Sequence, residues 1–369
     1  MRILIAPDKY AGTLTAPEAA EAIARGWARR APQVEADLCP MADGGPGFVD
    51  VLHANRGGQL VATTTTGPDG ERVPATILLA DDTAWIESAQ AVGIALTAAE
   101  KRAPMTATSA GLGELLRSGI ELGARRIVVG VGGTATNDGG AGLLAALGAT
   151  AEGAVLDAGP AGLAGLADPD ARVDLTSARA AVDGVELVVA TDVETQLLGI
   201  VGATKTFGPQ KGLDDAQQLQ VDGWLQRFAE LTDRKLATAP GAGAGGGIGF
   251  ALQLLGARRE SGVELVADAV GLAARAARAD LVVTGEGAFD FSSRAGKVPY
   301  GVAAVAAAAL RPCIALAGQV LVGGREMRAL GIEAAYSVSE LVGAERSVAE
   351  PYAALSELAE RVARSWVLD

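Results

Sequence analysis

The sequence predicts an α/β protein organised as two domains. Three observations carry that reading. Short apolar runs alternate with stretches of helical periodicity, and the loops between them are polar and rich in glycine. From 58 to 91 this rhythm gives way to a β-rich pattern, which places a domain boundary near 58. The 369 residues are long for one hydrophobic core and comfortable for two.

The elements follow in order. Ile3 to Ala6 form a first apolar strand. After a polar loop, Thr15-Ala-Pro-Glu18 matches a capping box, with Thr15 at the N-cap and Glu18 three positions on. Pro17 is tolerated there because its missing N–H would have no intrahelical partner. Ala19, Ala22, Ile23, Gly26 and Trp27 then recur at helical spacing. Val34 to Pro40 read as a second strand, MADGGPG as a loop and Phe48 to Ala54 as a short helix. The turn signal Gly67-Pro-Asp-Gly70 lies among β-rich runs and predicts antiparallel strands. A helix near Ser109 to Leu122 leads to a strand at Arg126 to Val131, the loop GVGGTATNDGG and a helix at Ala141 to Leu147. Val185 to Ala190 form a strand that ends at Asp192, and Asp215 to Leu231 a long helix. The run GAGAGGGIG reads as a helix entry rather than a linker, because FALQLLG follows with apolar spacing. One helix is expected over Val263 to Ala277 and a strand at Ala279 to Val283. An alanine-rich helix opened by Pro299, a strand at Cys313 to Ala317 and a C-terminal helix from near Val348 complete the chain.

Composition excludes several classes. Half of the residues are apolar, at 49 %, so the chain is not mainly disordered. The net charge of −13, without a basic tract, disfavours a nucleic-acid partner. The apolar run VPYGVAAVAAAAL is too short for a membrane span, and MRILIAP is too short for a signal peptide. A cytoplasmic protein is therefore expected, without membrane association, as a monomer or homodimer. Cys39 and Cys313 build neither a disulfide framework nor a four-cysteine zinc site; two buried free thiols are expected.

Lysine is the residue to follow. There are six lysines against 25 arginines, and Lys9, Lys211 and Lys297 sit in loop-like stretches beside glycine, Asp, Thr or Gln. A flexible point charge next to open backbone suits phosphate. A single histidine, His53, argues against histidine acid–base chemistry. Phosphate transfer assisted by Lys, Asp and a metal moves to the front.

Several of the motifs have a plainer alternative. Lys9 is placed to hold a phosphate or a substrate carboxylate with Asp8 orienting it, against a surface ion pair at a strand end. Asp43, before Gly44-Gly45, accepts a hydroxyl hydrogen bond or holds Mg²⁺ through water, against an ordinary Asp-Gly turn. In the 130–140 loop, Gly132 and Gly133 let backbone amides converge on an anion, and Thr134, Thr136, Asn137 and Asp138 add polar groups. No lysine closes that loop as in GxxxxGK[ST], and it is not GxGxxG. Asp192 is a general base or a metal ligand. Pro209 and Gly212 frame a turn that aims Lys211 inward. Glu286 and Asp290 are candidates for Mg²⁺ and Lys297 for phosphate, against a merely hydrophilic loop.

Taken together, the segments APDKYAGTLTAPEAAEAI, MADGGPG, VGVGGTATNDGGAGLLAALG, TDV…LLG…FGPQKG, GAGGGIGFAL and VVTGEGAFDFSSRAGKVPYGVA resemble the type 1 glycerate kinase family, in the family's order and over nearly the whole length. The resemblance implies ATP-dependent phosphorylation of D-glycerate, with 2-phosphoglycerate as the usual product. It also implies a flavodoxin-like or Rossmann-like domain from 1–58 and 255–369, a mixed α/β domain inserted as 59–254, and an active site in the cleft.

Three loops depart from the family pattern. Ala11 stands where a second lysine is usual, Glu194-Thr-Gln196-Leu197 where DNPL is usual, and Ala288 and Ser292 replace an arginine and a glutamine. In the expected reaction Mg·ATP is bound by lysines and glycine-rich loops, and Asp43 or, better, Asp192 orients the acceptor hydroxyl. Lys9 or a nearby arginine holds the substrate carboxylate. The altered loops keep two alternatives open: a kinase for another small hydroxy acid or polyol, and a nucleotide- or metabolite-binding homologue without catalysis.

Overall fold

A computed structural model describes residues 1–10, 12–290 and 297–367. Ala11 and Ser292, named above as departures, lie outside the described residues. The chain divides into two compact units: Met1–Asp43 with Asp50–Gly57 and Ser261–Asp369, and Gly44–Val49 with Gly58–Glu260.

The first unit is built on a parallel sheet of five strands. Their order is Ala334–Ser337, Cys313–Ala317, Leu281–Thr284, Arg2–Ile5, Glu35–Leu38. Counted along the chain this is the 2-1-3-4-5 order of flavodoxin-like sheets. The three inner strands are buried along their whole length except for Arg2, which explains their unbroken apolar runs. Leu4 pairs with Val282, and Val283 with Ile314.

Helix Ala16–Arg30 covers this sheet and has the expected capping box. The Thr15 side chain accepts from Glu18 N at 3.3 Å, and the Glu18 carboxylate accepts from Thr15 N at 2.8 Å. Its partner is helix Pro351–Trp366, and Gly26 sets their approach. A Cβ at Gly26 would stand 2.0 Å from Ser356 O and 2.8 Å from Ala359 Cβ. Gly26→Leu is therefore expected to force the helices apart at a loss of about 1–3 kcal/mol, read as a lower urea midpoint. An unchanged midpoint would overturn that account of the packing.

The second unit holds a mixed six-stranded sheet. Its order is Arg258–Glu260, Glu186–Ala190, Arg126–Gly130, Thr83–Glu87, Arg72–Ala80, Gln59–Thr66. The first four are parallel; the last two form the antiparallel pair foreseen around Gly67–Gly70. The short segment 44–49 belongs here because a Cβ at Gly44, whose φ is +89°, would sit 2.5 Å from Ala190 O. Likewise Gly130 and Gly132 have no room for a side chain against Gly44 O and Gly45 Cα.

Two sequence expectations are corrected. The single helix over Val263 to Ala277 is two helices, Gly262–Ala269 and Leu272–Arg278, broken where Gly271 turns left-handed at φ +66°. The C-terminal helix is preceded by a separate short one, Ala344–Ala349. The glycine run at 241–249 is a helix entry, with Gly247 at φ +99° before helix Ile248–Leu254. Both cysteines are buried free thiols, pushed up by burial to about 11 at Cys39 and about 12 at Cys313. Among the described residues no helix is long and apolar enough to cross a membrane.

Candidate active site

In an open parallel sheet the loops diverge where the strand order reverses, leaving a crevice at the strands' C-terminal ends. In the first unit that point lies between Arg2–Ile5 and Leu281–Thr284. The loop after the first strand carries Asp8 and Lys9; the loop after the second carries Glu286. The chain leaving Glu35–Leu38 brings Asp43 to the same place.

Lys9 joins these groups. Its Nζ is 3.5 Å from Asp8 Oδ1 and 3.5 Å from Asp43 Oδ1. The Lys9 backbone N–H donates to Asp8 Oδ1 at 2.7 Å. The loop itself is fixed by Asp8 N–H donating to Gly285 O at 2.8 Å and by the Tyr10 hydroxyl donating to Leu316 O at 2.5 Å. Glu286 and Asp290 meet Lys297, whose Nζ is 3.8 Å from Glu286 Oε2 and 3.7 Å from Asp290 Oδ1.

Burial decides the titration here. Asp8 is pushed up to about 7 by desolvation, reinforced by the Asp43 and Glu286 carboxylates and opposed by Lys9. Burial alone would lower the Lys9 ammonium, but the Asp8 and Asp43 carboxylates outweigh it and raise it. A carboxyl that titrates near neutrality beside a firmly held cation is suited to taking a proton.

The second unit brings another set together. Lys211, the last residue of helix Ala203–Lys211, is 3 % exposed. Its Nζ donates to Thr136 O at 2.5 Å and to Thr134 Oγ1 at 3.3 Å. Gly246 leaves room for it: a Cβ there would lie 2.8 Å from Lys211 Nζ and 2.0 Å from Thr136 O. Desolvation drives the Lys211 ammonium down to about 7, with Asp138 opposing the fall. Beside it, the buried Thr136 Oγ1 and Asn137 Oδ1 have no hydrogen-bond partner among the described residues, while Asn137 Nδ2 donates to Thr204 Oγ1 at 2.9 Å. Unsatisfied buried acceptors next to a lysine are a costly arrangement without a ligand or water.

The 130–140 loop is less open than its composition suggests. Gly132 N–H donates to Ser88 Oγ, Ala135 N–H to Val92 O and Gly139 N–H to Gly246 O. Gly133 is exposed at φ +64°. Asp138 is fully buried and accepts from Ser109 N at 2.8 Å, Ser109 Oγ at 2.7 Å, Gly140 N at 3.0 Å and Gly142 N at 3.2 Å. Its carboxyl is raised because burial outweighs those bonds. Asp192 stands half-buried past the end of Glu186–Ala190.

Sequence reasoning passed over Ser109 and Glu87. Glu87 ends the buried strand Thr83–Glu87 and accepts from Gly47 N at 3.0 Å and Val49 N at 3.4 Å, so it holds the segment that follows Asp43. The rule that singled out Asp192, a carboxylate ending an apolar strand, would also have found Glu87. In the altered 194–197 loop Glu194 pairs with Arg259 at 3.7 Å and Leu197 is fully buried.

Among the described residues no group of three or more His, Cys, Asp or Glu side chains is placed to hold a metal alone. The Glu286–Asp290 pair fits a different kind of site. Mg²⁺ is usually held by one or two carboxylates with water and substrate phosphate completing its shell, and these two carboxylates already converge on one cation, Lys297.

Comparison with known proteins gives a consistent result. The profile of the glycerate kinase family matches residues 3–367. The glycerate 2-kinase of Escherichia coli K12 is 40 % identical over 353 residues, covering 93 % of this chain and 92 % of that protein. The glycerate kinase of Bacillus subtilis 168 is 39 % identical over 350 residues, covering 92 % and 90 %. A crystal structure described as "putative glycerate kinase 2 from Salmonella typhimurium LT2" superposes with a TM-score of 0.82 at 37 % identity, over 99 % of this chain and 98 % of that one.

Proposed function

This chain belongs to the glycerate kinase family, and from that premise we propose that it transfers the γ-phosphoryl group of Mg·ATP to the C2 hydroxyl of D-glycerate, giving 2-phosphoglycerate and ADP. The observation that carries the finer reading is the meeting of Asp8, Lys9 and Asp43 at the strand-order reversal, with Lys9 Nζ 3.5 Å from each carboxylate.

In this reading Asp8 and Asp43 orient the acceptor hydroxyl, and Lys9 offsets charge on the glycerate carboxylate or the transferred group. The hydroxyl oxygen bonds to the γ-phosphorus as the bond to the ADP oxygen breaks in line, and its proton passes to a carboxylate. Positioning and electrostatics dominate such transfers, with general-base help the smaller part. Asp8 is the base proposed on its raised proton affinity; Asp192 is the other carboxylate proposed for that role. Glu286 and Asp290 would hold Mg²⁺, which supplies neutralisation of phosphate charge when bound, and Lys297 would contact phosphate. Lys211, Thr134 and Asn137 with the glycines at 132 and 133 form the second proposed anion-binding set, with Asp138 positioning that loop. ATP, Mg²⁺ and a cytoplasmic location belong to this proposal, as does a monomer or homodimer.

The pH dependence separates the two bases. A base must be ionised to act, so with Asp8 in that role kcat/KM falls as pH drops below about 7. Asp8→Asn is expected to lose that acid limb along with most of its rate, while Asp192→Asn keeps it. The opposite pattern would move the base to Asp192. The function itself is tested by incubating the protein with Mg·ATP and D-glycerate and identifying the product by phosphorus NMR. A 2-phosphoglycerate signal supports the reading; ATP binding without product overturns it and calls for a panel of other hydroxy acids.

A further inference from the structure

Beside the carboxylate–lysine cluster lies a cavity of about 240 Å³ that the reaction above does not use. It spans the C-terminal ends of four strands of the five-stranded sheet: Tyr10 follows Arg2–Ile5, Gly287 follows Leu281–Thr284, Gly318 follows Cys313–Ala317, and Val338 follows Ala334–Ser337. Val348, Pro351 and Leu355, from the last two helices, close it from the other side.

We propose that this cavity receives the nucleobase of the nucleoside triphosphate, with its phosphates running towards Lys9 and Lys297. The assignment rests on the ATP use proposed above and adds where the nucleoside sits.

Three observations carry it. First, among the described residues the lining holds no charged side chain: its polar groups are Tyr10, Thr13, Gln319 and Ser347, and the rest is aliphatic or glycine. Glycerate is small and bears a carboxylate, so a wall without a cation suits it poorly, whereas a flat uncharged heterocycle stacks against aliphatic surface and takes a few hydrogen bonds. Second, the size is right for one ring system and below the about 300–1,000 Å³ usual for drug-sized ligands. Third, the cavity is contiguous along the chain with the charged cluster. Tyr10 is the neighbour of Lys9, and Gly287 of Glu286, so a ligand filling it meets the loops that carry Lys9 and Glu286.

The floor is also pre-formed. Gly318 N–H donates to Glu286 O at 3.0 Å, Gln319 N–H to Gly287 O at 2.9 Å, and Ser339 N–H to Gly318 O at 3.0 Å. These bonds tie together the three segments that follow Leu281–Thr284, Cys313–Ala317 and Ala334–Ser337. Gly318 has no room for a side chain, because a Cβ would stand 2.4 Å from Gly287 O. At the mouth Val348 is 66 % exposed, apolar surface that a bound ring would cover.

The test fills the cavity and reads base and phosphate binding separately. Ser347→Trp and Val348→Trp both lie on the short surface helix Ala344–Ala349, and thermal unfolding checks that each is folded. Titration calorimetry then measures Mg·ADP and inorganic tripolyphosphate against the whole chain. Weakening of ADP by about tenfold or more in at least one folded variant, with tripolyphosphate within about twofold of the original, is the expected result. Unchanged ADP affinity in both variants, or equal weakening of ADP and tripolyphosphate, overturns it. If the original protein binds ADP but makes no product from glycerate, the glycerate reading fails, and the two variants still decide the cavity assignment. If it binds no ADP, both fail.

Discussion

Lys9→Met lowers kcat/KM for glycerate phosphorylation by about a hundredfold to a thousandfold, the usual loss when one preorganised electrostatic group is removed from a transition state. The size follows from what Lys9 holds. Its ammonium is the counter-charge to both Asp8 and Asp43, at 3.5 Å each, on a side chain only 26 % exposed. The loop from Asp8 to Thr15 carries no second lysine, so none stands in for it. Losing the cation removes the influence that opposes desolvation at Asp8, so Asp8 binds its proton still more tightly. The acid limb of the pH–rate profile therefore moves upward from about 7 as the rate falls. Lys9→Arg keeps the charge and recovers part of the rate with the limb near its original place. A Lys9→Met enzyme within about twofold of the original would return Lys9 to a surface ion pair at a strand end.

Lys9→Met is expected to keep the fold, and the sign of its pH dependence is fixed. Asp8 has a folded-state proton affinity above its ordinary value of 3.8, so its contribution to stability is fully present below that value and is lost as pH rises through about 7. In Lys9→Met the loss extends to higher pH. The gap between the urea midpoints of the two proteins is thus expected to be wider above pH 7 than at pH 5, with the variant lower at high pH.

How much of this was legible in the sequence depended on whether a residue acts locally or through a distant neighbour. The strand ends were readable because buried parallel strands are continuous apolar runs, and a polar residue after such a run stands at the sheet's edge. Lys9, Asp43, Asp192, Glu286 and Lys211 were all singled out as candidates by that logic or by rarity. The capping box at Thr15 and Glu18 was readable because both partners lie within one turn. The glycines were not. Gly130 and Gly132 are small because residues 44 and 45 lie against them, and Gly26 because of a helix 330 residues later. Glycine shows as a conformational licence in sequence, while its neighbours appear only in space. The 263–277 helix failed for a related reason: helical apolar spacing continued across Gly271, and nothing local revealed that its φ is +66°. Asp138 was legible as a polar member of a glycine loop, but not as the acceptor of four hydrogen bonds, since Ser109 is 29 residues away.

That last residue carries the second large effect. Asp138→Ala is expected to destabilise the protein by about 3 kcal/mol or more. The carboxylate is fully buried and gathers the Ser109 hydroxyl and the backbone N–H groups of Ser109, Gly140 and Gly142. Ser109 Oγ in turn accepts from Leu143 N at 2.9 Å, so one side chain ties the start of helix Ala110–Glu121 to the start of helix Ala141–Ala146. Alanine leaves four buried donors without that acceptor, and each unsatisfied buried donor costs about 1–3 kcal/mol. Relaxation and water entry recover part of the sum. Asparagine keeps the shape but turns an NH₂ group toward these donors, so Asp138→Asn is expected to be destabilised as well, by less. Urea unfolding reads both as lower midpoints with an unchanged slope. A Ser109→Ala, Asp138→Ala double mutant should cost less than the two single changes added, because they remove parts of one network. The same variants decide between anchoring and direct nucleotide contact. An anchor moves the midpoint; a ligand contact raises the KM for the proposed nucleotide substrate in Asp138→Asn while leaving the midpoint in place. The second outcome would make Asp138 a binding residue and leave the buried donors to be satisfied by water.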